Sequence, residues 1–247
     1  MTGGVVVEDG FVHEEETHLT VFKTSLFFPG DGFTVYNCKG ELVFRVESYG
    51  PDSRDKGEVE LMDAFGRCLL TARRKDWRYL PLVIVLWLQI KCFVTTPGKL
   101  DNNALGPILQ RPSLHQRWEG FLGEKTEGQK PIFSVRRSSI IGRSSVTVEM
   151  CGNPGEEYQI EGSFAQRCCT IFNAGKEAVA EIRRKVDAST NVVLGKDVFT
   201  LSLKPGFDGA FAMGLVLVLD QINGDDYANG DGGLELNPTS EDSHLSP

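Results

Sequence analysis

Apolar and polar residues alternate with the two-residue period of β-strands through most of the first 75 positions. LTVFKTSLFF, then GFTVY-NCKG-ELVFRVESY, then VELM-DAFG-RCLLTARRK all read as strand, turn, strand. Asn37 and Asp63 each stand three places before a glycine, the chemistry of a tight hairpin turn that closes at positive φ. Leu42, Phe44 and Val46 share one face and Val43, Arg45 and Glu47 the other, so the first set is predicted to face a core. The scheme returns at 131–150 (PIFSVRRSS, SSVTVEM) and at 156–204 (YQIEGSF, RCCTIF-NAG-KEAVAEIRRK, VFTLSLKP). Two strand endings, LLTARRK and VAEIRRK, are alike and both follow a Gly-marked turn, as an internal duplication of a hairpin-based half would leave them. Arg73 lies seven after Gly66 but Arg183 eight after Gly175, which predicts a bulge or a longer loop in the second copy.

Two stretches break the alternation. In GFDGAFAMGLVLVLDQING, Asp208 suits a helix N-cap, Ala210 to Leu219 is an unbroken apolar run, and Gly224 suits a C-terminal stop. Such a helix would be apolar all round and so enclosed by protein, while Val216 and Val218 suit a buried strand equally well. The second stretch, DWRYLPLVIVLWLQIKCFV, has neither hairpin periodicity nor caps. Its apolar core from Leu80 to Ile90 is 11 residues, interrupted by Pro81 and Gln89, against the ~20 a membrane-spanning helix needs. No transmembrane span is therefore expected.

Composition agrees with one large all-β domain. The chain has 247 residues, 40% of them apolar, with 15 Phe and 27 Gly and few long helical patterns. No basic segment followed by an apolar run and a cleavage site opens it, so a reducing, cytoplasmic setting is expected, peripheral to the plasma membrane or nuclear. The six cysteines show no CxxC spacing and are expected to be free, mostly buried thiols, with Cys168 and Cys169 on opposite faces of a strand. Net charge is −8, but five acids lie in residues 1–18 and six in residues 223–247, and neither stretch holds Lys or Arg. Without those acids, residues 19–222 carry +3. A mildly basic body thus sits between an acidic, flexible N-terminus and an acidic tail too poor in apolar surface to order itself.

Candidate chemistry is sparse. His13 and His18 lie in the acidic stretch, His244 in the tail, and His115 in SLHQRW beside Leu114 and Trp118, where a structural role fits better than a general base. Neither GxSxG, HExxH, a P-loop nor metal-ligand spacing is present, so no enzyme, metal or cofactor is expected. Arg136, Arg137 and Arg143 stand among serines in SVRRSSIIGRSS, which reads as a polar loop, a phosphate-friendly site or a phosphorylation target. Nucleic acid would want a far more basic body.

Five segments together resemble the plant LURP-one-related family, itself similar to the tubby C-terminal domain and the phospholipid scramblases. They are LTVFKTSLFFPGDGFTVYNCKGELVFRVESY, ELMDAFGRCLLTARRK, RPSLHQRWEGFLGE, YQIEGSF and PGFDGAFAMGLVLVLDQI, in family order across residues 19–222. The resemblance implies an all-β fold, a closed antiparallel barrel of about twelve strands around a buried C-terminal hydrophobic helix. It also implies phosphoinositide binding, without fixing which residues bind. Strand alternation turns Arg74 and Arg184 inward with Leu70, Ala72, Ala180 and Ile182 and leaves Arg73, Lys75, Arg183 and Lys185 outside, as headgroup cations or as solvated strand ends. Four surface cations at ~1 kcal/mol each give ~4 kcal/mol, near a millimolar dissociation constant. Protein partners engaging the acidic ends are the alternative, and defence signalling is the process that the family's founding member implies. In the family pattern ARRK runs almost directly into RPSLHQRW, whereas here residues 76–110 intervene. That spacing marks a non-family insert, a retained intron or a splice variant. Lengthening a ~4-residue loop to ~39 costs about 2 kcal/mol of closure entropy, which a barrel can tolerate.

Overall fold

The computed structural model describes residues 5–24, 26, 32–47, 57–75, 117–140, 143–152, 155–187 and 189–228. Twelve strands run in chain order: β1 (Thr17–Phe22), β2 (Gly32–Tyr36), β3 (Leu42–Glu47), β4 (Glu58–Asp63), β5 (Cys68–Arg74), β6 (Arg117–Leu122), β7 (Phe133–Ile140), β8 (Arg143–Met150), β9 (Glu157–Ser163), β10 (Cys168–Phe172), β11 (Ala178–Arg184) and β12 (Val198–Leu203). Each pairs antiparallel with its neighbours in sequence, and β1 pairs with β12, so the sheet closes into an up-and-down barrel without edges. The helix α1 (Gly209–Ala228) runs through the lumen.

Alternation places one residue in two on the inner wall. Phe44 and Val46 of β3 are buried as the pattern predicts, as are Leu70 and Ala72 of β5 and Ala180 and Ile182 of β11. The inner wall is apolar, which is the environment a helix without a polar face requires. Every residue from Ala210 to Leu219 that carries a side chain is 5% exposed or less, so the run that could have been a strand is a helix enclosed on all sides. Close packing uses small residues on α1. A Cβ at Gly214 would stand 2.2 Å from Leu70 Cδ2, so the wall approaches there only because that position has no side chain.

Asp208 caps α1 as predicted, its Oδ1 accepting from the Ala210 and Phe211 amides at 2.8 and 3.1 Å. Gly224 does not stop the helix. Glycine ends helices where the chain turns left-handed, whereas Gly224 keeps a negative φ and the helix continues to Ala228.

The offset between the two ARRK-like copies also has a different cause from the one predicted. Asp63 to Arg67 and Asn173 to Glu177 are turns of one length, each with its first residue bonded backbone to backbone with its last. Arg73 follows Asp63 by the same ten positions as Arg183 follows Asn173. Gly66 fills the left-handed fourth place of its turn (φ 90°), while in the second copy Lys176 fills it (φ 60°) and the glycine stands one place earlier. Register shifts occur in both copies, at Leu61/Met62 and at Ile171/Phe172.

The thiols differ from expectation as well. Among the five described cysteines, all free, Cys38, Cys151 and Cys168 are exposed, Cys68 is half-buried and only Cys169 is buried. The three exposed ones lie on turns and an outward strand position, and only Cys169 faces the lumen. Cys168 and Cys169 do take opposite faces, and burial pushes the Cys169 thiol up to about 12.

Residues 1–18 read from sequence as an acidic, flexible end, yet residues 5–18 make specific contacts. The amides of Val6, Val7 and Glu8 donate to Asp208 Oδ2, Val12 bridges Asp208, and the Gly206 amide donates to His13 O. The acidic tail beyond residue 228 and the stretch 76–110 lie outside the described residues. The strands flanking that stretch are paired neighbours, and the Lys75 amide donates to Arg117 O at 2.8 Å. Excising residues 76–110 would leave six residues to join them. Excision is therefore expected to preserve the barrel and to raise soluble yield, because it removes the strand-prone run from Leu82 to Leu88. Equal soluble yields of the two chains would contradict this.

Candidate functional site

Strand direction decides where the cations lie. In an up-and-down barrel all odd-numbered strands point the same way, so β5 and β11 end at the same mouth, the one from which α1 emerges. Arg73 and Lys75 therefore share that mouth with Arg183 and Lys185. They stand on opposite walls, however, because β5 and β11 are six strands apart in either direction around a ring of twelve. With strands ~4.8 Å apart, the ring is roughly 20 Å across. The four residues thus do not make one pocket. They make two basic patches on one rim.

More of the chain's arginines gather there. β6 begins with Arg117 and β8 with Arg143 at this mouth, and β7 approaches it through Arg136 and Arg137. Several of the cations are already engaged. Arg73 Nε lies 3.6 Å from Glu58, Lys75 Nζ 2.6 Å from Glu119, and Arg183 Nη2 2.8 Å from Glu181. Arg136 pairs with Glu149 at 2.8 Å. These are surface pairs, worth ~0–1 kcal/mol each and exchangeable against an outside anion. Strand alternation would turn Arg74 and Arg184 inward. Arg184 is instead exposed and Arg74 only half-buried, since at the rim the inner face opens to solvent.

Lys185 stands apart because its partner is not a carboxylate. Its Nζ donates to Thr20 Oγ1 at 2.9 Å, over a groove of about 740 Å³ on the outer wall. Thr20, Thr34 and Thr200 supply hydroxyls to that groove, Phe22 and Tyr36 an edge-to-face aromatic floor, and His18 an imidazole 2.9 Å from Ser202 Oγ. Strand pairing puts Thr20 opposite Thr200, and Thr200 opposite Arg183. Arg183 and Lys185 therefore flank a hydroxyl-rich surface, the better-built half of the predicted site. Sequence reasoning missed this groove because two of its hydroxyls come from β1 and β2, at the far end of the chain from the ARRK-like motif that Lys185 closes.

The opposite mouth is acidic. Glu8, Asp9, Glu14, Glu15 and Glu16 lie on the segment held against Asp208 and Gly206, with Glu8 3.3 Å from Arg67 and Glu16 2.8 Å from Lys204. At the basic mouth, α1 is fastened by Arg167, which is 6% exposed. Its guanidinium lies 4.1 and 4.6 Å from the Phe164 and Phe199 rings, its Nε donates to Lys196 O, and Asp220 lies 3.8 Å away. Burial lowers the pKa of Arg167 while Asp220 opposes that shift. Among the described residues no cluster of His, Cys, Asp and Glu could hold a metal ion, and no helix is long and apolar enough to cross a membrane. His115 lies outside them.

A closed twelve-stranded antiparallel barrel wound around its own C-terminal helix defines the class of protein by its fold. A solved X-ray structure of an Arabidopsis thaliana protein has the same fold, with a TM-score of 0.56 at 18% identity over 90% of this chain and 99% of that one. The LURP-one-related family model matches residues 17–99 and 98–220. The chain is 59% identical over 245 residues to Arabidopsis thaliana LURP-one-related 5, covering 98% of this chain and 100% of that protein. It is 57% identical to LURP-one-related 12 over 90% of this chain and 85% of that one, and 36% identical to LURP-one-related 8 over 83% and 86%. The chain belongs to the LURP-one-related family. None of these relatives' names carries an enzymatic activity.

Proposed function

We propose that this protein is a non-catalytic module that docks by its basic rim on anionic phosphate headgroups at a membrane surface, phosphoinositides among them. One observation carries the reading: two ARRK-type strand ends, far apart in sequence and on opposite walls, finish at the same mouth, where a flat anionic surface could meet both. The acidic N-terminal segment lies at the other mouth, which orients the molecule in the field of such a surface. Lys185 and Arg183, beside the threonine hydroxyls, hold the individual headgroup, and Arg73 and Lys75 add attraction from the far wall. Defence signalling, with release from the membrane toward the nucleus, is the setting that the family resemblance supplies.

Liposome co-sedimentation tests this. Wild-type protein is expected to pellet with vesicles containing phosphatidylserine and phosphoinositide and to remain in the supernatant with phosphatidylcholine alone. The Arg183→Glu, Lys185→Glu pair should lose most of the lipid-dependent fraction, and Arg73→Glu, Lys75→Glu a smaller part. Equal pelleting with and without anionic lipid would defeat the reading. A second reading, a protein-interaction scaffold without lipid binding, draws on the carboxylates that already pair Arg73, Lys75 and Arg183. There a pull-down should lose its partner when residues 223–247 are deleted, and an unchanged partner set would refute a role for the tail.

A further inference from the structure

Near the basic mouth the lumen is incompletely filled. Inward positions along β9 run Tyr158, Ile160, Gly162, and the turn that follows brings Phe164 and Ala165 to the same place. Gly162 has φ 107°, and a Cβ there would meet Cys168 O at 2.2 Å, so no side chain can stand at this position beside the cavity. What is left is a cavity of about 230 Å³ between the wall and the last lumenal turns of α1. Val146, Ile160, Phe164, Cys169, Leu219 and Ile222 line it, all at most 7% exposed.

Polar groups in the lining are few: Arg137, Ser163 and Asn223. Arg137 is the informative one. It pairs across the sheet with Val146 and follows buried Phe133 and Val135 at two-residue steps, so it belongs to the inner face of β7. A cation at the lip of a chamber whose buried walls are apolar side chains selects a ligand that is apolar at one end and anionic at the other. The volume exceeds the ~150 Å³ that admits a benzene ring in a dry cavity and is too small for the whole chain of a membrane lipid.

We propose that this cavity binds a small soluble carboxylate with an apolar body the size of an aryl ring or a medium-length alkyl chain. The carboxylate sits at Arg137 and the apolar body lies against Ile160, Phe164 and Leu219. This site is separate from the outer-wall groove and does not depend on membrane docking. Because its lining includes Leu219 and Ile222 of α1, occupancy would stiffen the junction of helix and wall.

Calorimetric titration of the full chain with octanoate tests the assignment, with octan-1-ol and octyltrimethylammonium as comparators of equal chain length. Octanoate is expected to bind at one site per chain with a dissociation constant of about a millimolar or better, about tenfold tighter than the alcohol, and to raise the melting temperature. Arg137→Gln should abolish the preference for the acid while leaving weak binding of the alcohol. Ala165→Leu, which fills the chamber from its lip, should weaken both by about tenfold without lowering the melting temperature of the free protein. Three results would overturn it: no saturable octanoate binding, equal affinity for the cationic amphiphile, or octanoate affinity unchanged in Ala165→Leu.

Discussion

Asp208→Ala is expected to destabilise the protein by about 3–5 kcal/mol, far more than an ordinary N-cap loss of ~1 kcal/mol. The difference comes from how many donors the carboxylate serves. Oδ1 accepts from Ala210 and Phe211 at the start of α1, and Oδ2 accepts from Val6, Val7 and Glu8 at 3.1, 2.7 and 3.1 Å. Asp208 is 0% exposed, so water cannot substitute when it is removed. Buried donors stranded in this way cost ~1–3 kcal/mol each, reduced here because the N-terminal segment can swing out to solvent. Asp208→Asn keeps one acceptor but sets an amide against donors, and should cost about 2–3 kcal/mol. Deleting residues 1–8 removes the three strap bonds, the exposed Glu8–Arg67 pair and the packing of Val6 and Val7 but leaves both Oδ1 bonds to the helix, and should cost less than Asp208→Ala. Urea unfolding of the three variants measures the order, and a loss below ~1 kcal/mol for Asp208→Ala would contradict the account.

Phe211→Ala should cost a similar amount, about 3–5 kcal/mol, by a different route. Phe211 is 0% exposed one turn into the lumen, where its ring meets Phe133 at 5.2 Å, Tyr158 at 5.4 Å and Phe207 at 5.9 Å. The cluster joins the helix to β7, to β9 and to the loop that carries Asp208. Truncation loses the transfer of a phenyl ring from water and the edge-to-face contacts, and leaves a void that rigid strands cannot collapse into. Thermal and urea unfolding should agree on the loss. A cost under ~1.5 kcal/mol would mean that the lumen repacks, which would place the helix in a looser environment than the wall geometry shows.

Much of the barrel was legible because its period was local. Phe44, Leu70 and Ile182 sit where two-residue alternation puts them. Asp208 was readable as a cap because a lone acid precedes an apolar run. The helix itself was not decidable from Ala210 to Leu219, since a segment buried on all sides carries no period, and only the family resemblance chose between helix and strand. Other features required the third dimension. Lys176 in a left-handed turn position is invisible to a rule that looks for glycine, and Gly224 is a stop only if the backbone turns there. The candidate site was half readable: Arg73, Lys75, Arg183 and Lys185 stood out as repeated endings, but only strand direction shows that they share a mouth and strand order that they do not touch. Thr20, Thr34 and Thr200 around Lys185 had no signal in sequence, because they come one each from three strands and meet only where the first two close the barrel against the last.

Amide hydrogen exchange of α1 tests the enclosed helix most directly. If the barrel closes around it, the amides from Ala212 to Val218 exchange only through global unfolding, with protection equal to the full unfolding free energy and among the slowest in the chain. Exchange of those amides within seconds under native conditions, while the strands stay protected, would contradict it.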